Sequence, residues 1–307
     1  MKVAVIGSNM VDLVTYVEHI PKWGETLEAP QFEMGHGGKG ANQAVAMAKL
    51  GSHVMMLSKV GDDIFGDKTI ENFTRFGIDC RYVKKVTGCS SGVAPIFVNR
   101  KAQNQIIIVK GANNYLLPQD IEAAADDLMK CKLIVLQLEI PLETVYYAIE
   151  FANKHNITVI LNPAPASKKL DLDYASHCDF FMPNETELEI LTGLPVETMP
   201  QIEAAAQILL DKGLKNLIIT LGERGCLWLT KDSKIYIPAY QVNAIDSGGA
   251  GDAFIGCFAH YLVTCSDILS ALRQASLFAA YSVMGRGTQS SYPNTEQFEQ
   301  FKSEHEK

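Results

Sequence analysis

The chain has 307 residues, 47% of them hydrophobic and 20% charged, and carries a formal net charge of −8. This suits a globular protein with a sizeable core, built as one large α/β domain with a smaller appendage. The acidic balance, with no cluster of Lys and Arg interleaved with aromatics, argues against a nucleic-acid partner.

Seven cysteines stand singly at Cys80, Cys89, Cys131, Cys178, Cys226, Cys257 and Cys265. With an odd count and no Cys-x-x-Cys pair, reduced thiols in a cytoplasmic protein are expected rather than a disulfide framework or zinc site. No apolar stretch is long enough for a signal-peptide core or a membrane span.

In chain order, residues 3–6 form a short β-branched run closed by Gly7, which reads as a buried strand. Strand-like runs follow at 13–17 and 26–34, on either side of a turn at 21–24. Helical character starts at Gly38 and continues to Leu50, with Gly51 as the stop. Beyond it, strands are predicted at 53–57, 133–138, 158–162, 180–182 and 217–221. They alternate with helices predicted at 67–76, 119–130, 142–155, 185–192 and 201–212. Such alternation predicts an α/β fold with a doubly wound, mostly parallel sheet. Residues 13–36 and 92–110 break the rhythm with strands at 93–99 and 105–109, and predict one small β subdomain made from two insertions. The large domain then comprises 1–12, 37–91 and 111–307.

Two glycine clusters carry the chemistry. Gly35-His36-Gly37-Gly38-Lys39-Gly40 matches the dinucleotide fingerprint formally, but what precedes it is not a βαβ unit. It also fails as a P-loop, because Gly40 rather than Ser or Thr follows Lys39. A turn before a helix is the plain reading. Outward-pointing amides with Lys39 and Asn42 beside them favour a polar-ligand site. The second cluster, Asp246-Ser247-Gly248-Gly249-Ala250-Gly251-Asp252, leads into an apolar helix. Free amides at a helix start hold anions, and three glycines sacrifice stability that close approach to a ligand would explain. Asp252 falls in the first turn, where it either complements the dipole or acts on the ligand. Asn184 and Glu187 are spaced for a capping box or for a ligand. Thr220 to Gly225 ends a strand in a glycine turn that hairpin geometry alone could explain. Glu139 follows an apolar strand at its carboxyl end, where open α/β sheets place ligands.

Gly37-Gly38-Lys39-Gly40-Ala41-Asn42-Gln43 and Asp246 to Asp252 resemble the two signatures of the ribokinase-like (PfkB) carbohydrate kinases. Pro183-Asn184-Glu185-Thr186-Glu187 looks like that family's N-x-x-E motif, and Thr220 to Gly225 like its nucleotide loop. The resemblance covers essentially the whole chain, and within the family the chain looks most like the ribokinases and deoxyribokinases. It implies a Rossmann-like domain whose small β subdomain is a lid, a homodimer paired through that lid, and ATP as phosphoryl donor. Asp252 would be the general base toward the sugar 5-hydroxyl. The amides of Gly249, Ala250 and Gly251 would form the anion hole. Asn184 and Glu187 would hold Mg²⁺ through water. Thr220, Leu221, Gly222, Glu223, Arg224, Gly225, Gly251 and Ser276 would lie at the nucleotide. A K⁺ site would map to Asp246, Gly248, Ser282, Gly285, Gly287 and Ser291. The sugar would be held by Met10, Asp12, Gly38, Lys39, Gly40, Ala41, Asn42, Glu139 and Asp252.

The chain departs from the family pattern in two places. Ser247 stands where the family more often has Thr, and its hydroxyl survives. Met10 stands where ribokinases carry an Asn that bonds the sugar 2-hydroxyl. A thioether cannot donate, and burying an unpaired hydroxyl costs about 1–3 kcal/mol. Met10 therefore predicts 2-deoxy-D-ribose as substrate, unless it only fills a gap while Asn9 serves ribose. The alternatives are a ribokinase, another furanose or nucleoside kinase, and a non-catalytic sugar-binding protein on a kinase scaffold. The intact Asp252 and glycines count against the last.

Overall fold

The computed structural model describes residues 2–99 and 104–305. Residues 100–103 of the expected 92–110 insertion, and 1 and 306–307 of the expected large domain, lie outside the described residues. The chain begins β1 (Lys2–Ile6), β2 (Met10–Tyr16), β3 (Gln31–Gly37), α1 (Lys39–Lys49), β4 (His53–Gly61) and α2 (Ile64–Arg75). Next come β5 (Asp79–Val86), β6 (Val93–Val98), β7 (Asn104–Ile106), α3 (Pro118–Ala123), α4 (Ala125–Leu128) and β8 (Leu133–Leu136). The middle holds α5 (Leu142–Lys154), β9 (Thr158–Leu161), α6 (Leu172–Ala175), β10 (Phe180–Phe181), α7 (Glu185–Thr192) and α8 (Met199–Asp211). It ends with β11 (Leu217–Thr220), β12 (Cys226–Leu229), β13 (Lys234–Ile237), α9 (Ala250–Cys265), α10 (Ile268–Ser282) and α11 (Thr295–His305).

Nine strands form one sheet in the order β13-β12-β11-β10-β9-β8-β1-β4-β5. It is parallel from β11 to β5, with the antiparallel hairpin β12–β13 on one edge. Both faces are covered, which is why its central strands read as unbroken apolar runs such as LIVL in β8. Val3 and Val5 join the layer under α1, α9 and α10, while Ala4 and Ile6 join the layer under α5 and α8. The strand order reverses at β1, between β8 and β4. A crevice at the carboxyl ends of β1 and β8 is where such sheets place ligands.

The second sheet has four strands in the order β3-β2-β6-β7. β2 pairs antiparallel with β3, from Met10↔Gly37 to Tyr16↔Gln31, and parallel with β6. Because β2 follows β1 directly and β3 runs into α1, Met10, Asp12 and Gly37 lie at the seam of the two sheets.

Several elements differ from the sequence expectation, and α6, β12, β13, α10 and α11 were not among those expected. The run expected from 26 becomes strand only at Gln31, just past Pro30, which has no amide to give to a ladder. The helix expected over 119–130 breaks at Ala124 into α3 and α4. β5 was not expected at all: as an edge strand with only one buried residue, its sequence DCRYVKKV is too polar to stand out. Among the described residues no helix is long and apolar enough to cross a membrane.

Candidate active site

The crevice over β1 and β8 is a cleft of ≈ 1220 Å³ closed on one side by the small sheet. Met10, Asp12, Gly38, Lys39, Asn42, Glu139, Asp246, Gly248, Gly249, Asp252 and Gly287 all line it. Gly40 and Ala41 lie buried beneath its floor. The Gly40 amide donates to Ser8 Oγ (3.3 Å) and the Ala41 amide to Ser8 O (2.8 Å).

α1 begins at Gly38, whose φ is +88° and whose absent Cβ would fall 2.7 Å from the Asn9 backbone. Only glycine fits there. The first helical amide, that of Lys39, donates to Glu139 Oε2 (2.9 Å), which also accepts from Ser8 Oγ (2.5 Å). Glu139 thus anchors the helix start from across the crevice. Burial would lower the Lys39 ammonium, but the carboxylates of Asp252, Glu139 and Glu187 outweigh it and hold the pKa above the usual lysine range. Burial, reinforced by the charges of Glu139 and Asp252, pushes the Asp12 carboxyl up to about 7.

Asp252 sits in the first turn of α9 and is 5% exposed. Asn42 Nδ2 donates to its Oδ2 and Gln43 Nε2 to its Oδ1, both at 2.9 Å. α9 starts at Gly249, at φ +76°, with no side-chain cap. The Ala250 amide reaches Ser247 O at 3.3 Å, and among the described residues the Gly251 amide has no protein acceptor. A Cβ on Gly251 would meet nothing within 4 Å. Here a buried carboxylate adjoins a helix start open to a ligand. Such a pairing can remove a proton from a hydroxyl while the amides hold an anion.

Met10 is 3% exposed and lines the cleft, whereas Asn9 is turned into the scaffold. Asn9 Nδ2 donates to Ser58 Oγ (2.8 Å) and Lys59 O (2.7 Å), and its backbone exchanges bonds with the Asn113 carboxamide. Its amide nitrogen is committed away from the cleft.

Of the expected nucleotide and cation residues, Asp246, Gly248 and Gly287 line the cleft and the others do not. Asn184 and Glu187 form a reciprocal capping box at 2.8 Å in each direction. Burial raises the Glu187 carboxyl, against the Asn184 amide bond and the Lys39 charge. Thr220 bridges Asn184, and Arg224 pairs with Glu185, so the 220–225 loop packs beside the α7 start. Leu221 and Ser276 are buried and Glu223 is exposed. Asp246 accepts from the amides of Gly248 (2.8 Å) and Gly287 (3.0 Å), which joins the 246–248 and 285–287 loops. Ser282 and Ser291 donate to local carbonyls, keeping their lone pairs, and a Cβ on Gly285 would approach Ser291 Cβ at 3.0 Å. The carboxylate of Asp246 and the hydroxyls of Ser282 and Ser291 are hard oxygen donors, the kind a hard cation takes. Among the described residues no cluster of three His, Cys, Asp or Glu could hold a metal. Glu187 offers a single carboxylate, suited to an ion that keeps most of its water, as Mg²⁺ does.

Sequence reasoning passed over Ser8, Gln43, Asn113 and Gln289. Of these, only Gln43 carried a signal, being the last residue of the first glycine motif.

The description "pfkB family carbohydrate kinase" matches residues 1–295 of the chain. A deoxyribokinase of Salmonella typhi is 64% identical over 303 residues, covering 99% of each chain. The ribokinase of Mus musculus is 39% identical, covering 95% of this chain and 91% of its own. Among solved structures, a ribokinase from Giardia lamblia superposes with a TM-score of 0.91 at 31% identity, covering 99% of this chain and 98% of its own. An Arabidopsis thaliana ribokinase complexed with ribose and ATP superposes with a TM-score of 0.89 at 30% identity, covering 97% of each.

Proposed function

This chain belongs to the pfkB family of carbohydrate kinases, and we propose that it transfers the γ-phosphoryl group of ATP to the 5-hydroxyl of 2-deoxy-D-ribose. Met10 carries the choice of sugar. Apolar and facing the cleft, it suits a bare CH₂, while the carboxamide of its neighbour Asn9 is bound to Ser58 and Lys59. The 64% identity to a deoxyribokinase supports the same reading.

In this reading Asp12, Gly38, Lys39, Asn42 and Glu139 seat the sugar, and Gly40 and Ala41 support it from beneath. Asp252 takes the proton of the 5-hydroxyl as its oxygen bonds to the γ-phosphorus. The bond from that phosphorus to the β–γ bridging oxygen breaks, and ADP leaves. The amides of Gly249, Ala250 and Gly251 hold the charge on the moving phosphoryl group. Thr220, Leu221, Gly222, Glu223, Arg224 and Gly225, with Ser276, flank the nucleotide. Asn184 and Glu187 would hold Mg²⁺ through water, and Asp246, Gly248, Ser282, Gly285, Gly287 and Ser291 would hold K⁺. These ions supply positive charge against the phosphates.

The small sheet acts as a lid that excludes water from the reacting groups. Its Phe32, Met34 and Ile106 are 59%, 55% and 52% exposed, and a second copy pairing through the lid would cover such surface. Sedimentation that returns a monomer would refute that dimer. Seven free cysteines suit a reducing, cytosolic setting.

A coupled ADP-release assay over deoxyribose, ribose, fructose and nucleosides tests the whole reading. Deoxyribose is expected to give the highest kcat/KM. Equal turnover of ribose would remove the argument from Met10, and no turnover with any sugar would remove the kinase.

A further inference from the structure

We propose that Gln289 is a positioning residue for Asp252, acting through Asn42 within a one-way chain of hydrogen bonds that begins at Arg75. The proposal rests on the reading of Asp252 as the general base. Arg75 Nη2 donates to Asn72 Oδ1 (3.2 Å), and Asn72 Nδ2 donates to Gln289 Oε1 (2.8 Å). Gln289 Nε2 then donates to Asn42 Oδ1 (3.0 Å), and Asn42 Nδ2 to Asp252 Oδ2 (2.9 Å).

The polarity of this chain is dictated at both ends. A guanidinium can only donate and an ionised carboxylate can only accept. Each amide between them must therefore turn its oxygen toward Arg75 and its NH₂ toward Asp252. Asn72, Gln289 and Asn42 are 5%, 5% and 6% exposed, so water does not readily substitute for a broken link. Bonds chained in one direction polarise one another, which strengthens the last of them.

The loop that supplies Gln289 is itself held in place. Lys49 Nζ donates to Gln289 O (2.9 Å) and Tyr292 O (2.5 Å), and the Tyr292 hydroxyl donates to Gly249 O (2.9 Å). A shorter branch fixes the other oxygen of Asp252: Gln137 Nε2 donates to Gln43 Oε1 (2.7 Å), and Gln43 Nε2 donates to Asp252 Oδ1 (2.9 Å). With one amide on each oxygen the carboxylate cannot rotate, and lone pairs remain for an incoming hydroxyl. Aim of this kind raises turnover without tightening substrate binding.

Asn72→Asp tests the chain three links from the base. It swaps one amide nitrogen for oxygen and leaves Arg75 a partner. Gln289 must then turn its NH₂ toward the new carboxylate, Asn42 turns in its wake, and an oxygen faces Asp252. We expect kcat to fall by about tenfold or more, the scale of one charged hydrogen bond, with KM for ATP unchanged and KM for sugar, which Asn42 also contacts, changed by less than kcat. Gln289→Met breaks the chain without reversing it and is expected to lose less kcat, even where it lowers the melting temperature more. A kcat that merely follows the melting temperature across the two variants, or is unchanged in Asn72→Asp, overturns the proposal. A raised sugar KM with kcat kept would make these residues sugar contacts and would also overturn it. Asp252→Asn, assayed in parallel, separates the two claims. If that variant stays active, the general-base reading fails; if it is dead while Asn72→Asp behaves as wild type, only the relay fails.

Discussion

The helices α1 and α9 both begin at a glycine in the left-handed region, Gly38 at φ +88° and Gly249 at φ +76°, and neither has a side-chain cap. Their first turns are nonetheless opposite in kind. At α1 the protein fills its own anion site: Glu139 takes the Lys39 amide, and Ser8 takes those of Gly40 and Ala41. At α9 the Gly251 amide is left without a protein acceptor among the described residues. Two glycine motifs that look alike in sequence thus do different work. The α1 start is sealed, and presents Lys39 and Asn42 to the cleft. The α9 start is open, and presents backbone amides beside Asp252. In the proposed reaction the first seats the sugar and the second hosts the phosphoryl group.

The sharpest way to break this comparison is to remove the carboxylate at the open end. Asp252→Asn keeps the shape of the side chain and the bond from at least one neighbouring amide, but loses the base. A positioned general base contributes about 10²–10⁴-fold, and kcat is expected to fall on that scale. Sugar binding, measured by calorimetry, should persist, because the sealed end is untouched. Retained turnover would leave the open helix start without its chemical role.

The next effect belongs to the sugar side. Met10→Asn supplies a donor where the cleft wall is apolar, and should move the ratio of kcat/KM from deoxyribose toward ribose. Pairing or unpairing one buried hydroxyl is worth about 1–3 kcal/mol, so the shift should be about 5- to 150-fold. An unchanged ratio would show that Met10 is packing alone.

The titration of Asp12 probes the same wall. Burial and the charges of Glu139 and Asp252 place its pKa at about 7 in the free protein. A sugar hydroxyl donated to Asp12 favours the ionised form, so binding expels the proton. Affinity should be full above pH 7 and weaken below it, by up to about tenfold per pH unit. Stability has the opposite dependence. The folded pKa lies above the ordinary 3.8, so the stabilising contribution is complete below that value and is lost as pH rises to about 7. Calorimetric titrations at pH 6 and pH 8, on wild type and Asp12→Asn, check both the sign and its source. Equal affinity of the wild type at the two values would exclude the linkage.

How far the sequence reaches follows from the same contrast. The parallel sheet was legible because strands buried on both faces write continuous apolar runs, as in β8. The place of Asp252 in the first turn of α9 was legible because it stands at a fixed offset from the glycines that open the helix. β5 was not, because an edge strand half in water carries no such run. Nor were Ser8 and Gln289, which act across 131 and 247 residues of chain, to Glu139 and Asn42 respectively. A hydrogen bond of that span has no local pattern and exists only once the sheet has brought its partners together. The sealing of α1 was hidden for this reason. Glycine content announced two helix starts able to bind a ligand, and only a contact from distant Glu139 decides which one is already occupied.

The smallest effect sharpens the comparison most, because it separates folding from function at two glycines. A Cβ at Gly40 would fall 2.7 Å from the Ser8 backbone, whereas one at Gly251 would meet nothing within 4 Å. Gly40→Ala must push apart the α1 start and the β1 end, at a cost of about 1–3 kcal/mol, typical of overpacking. Gly251→Ala should cost no stability and gain about 0.5–1 kcal/mol, since alanine loses less freedom than glycine in a helix. Its methyl group nevertheless occupies space beside the open amides, and kcat should fall while the melting temperature holds or rises. Thermal melts of both variants beside their turnover numbers make the measurement. If Gly251→Ala is as active as wild type, the room at the α9 start is not where a phosphoryl group passes. If instead it melts as early as Gly40→Ala, that glycine serves packing, and the two helix starts are alike after all.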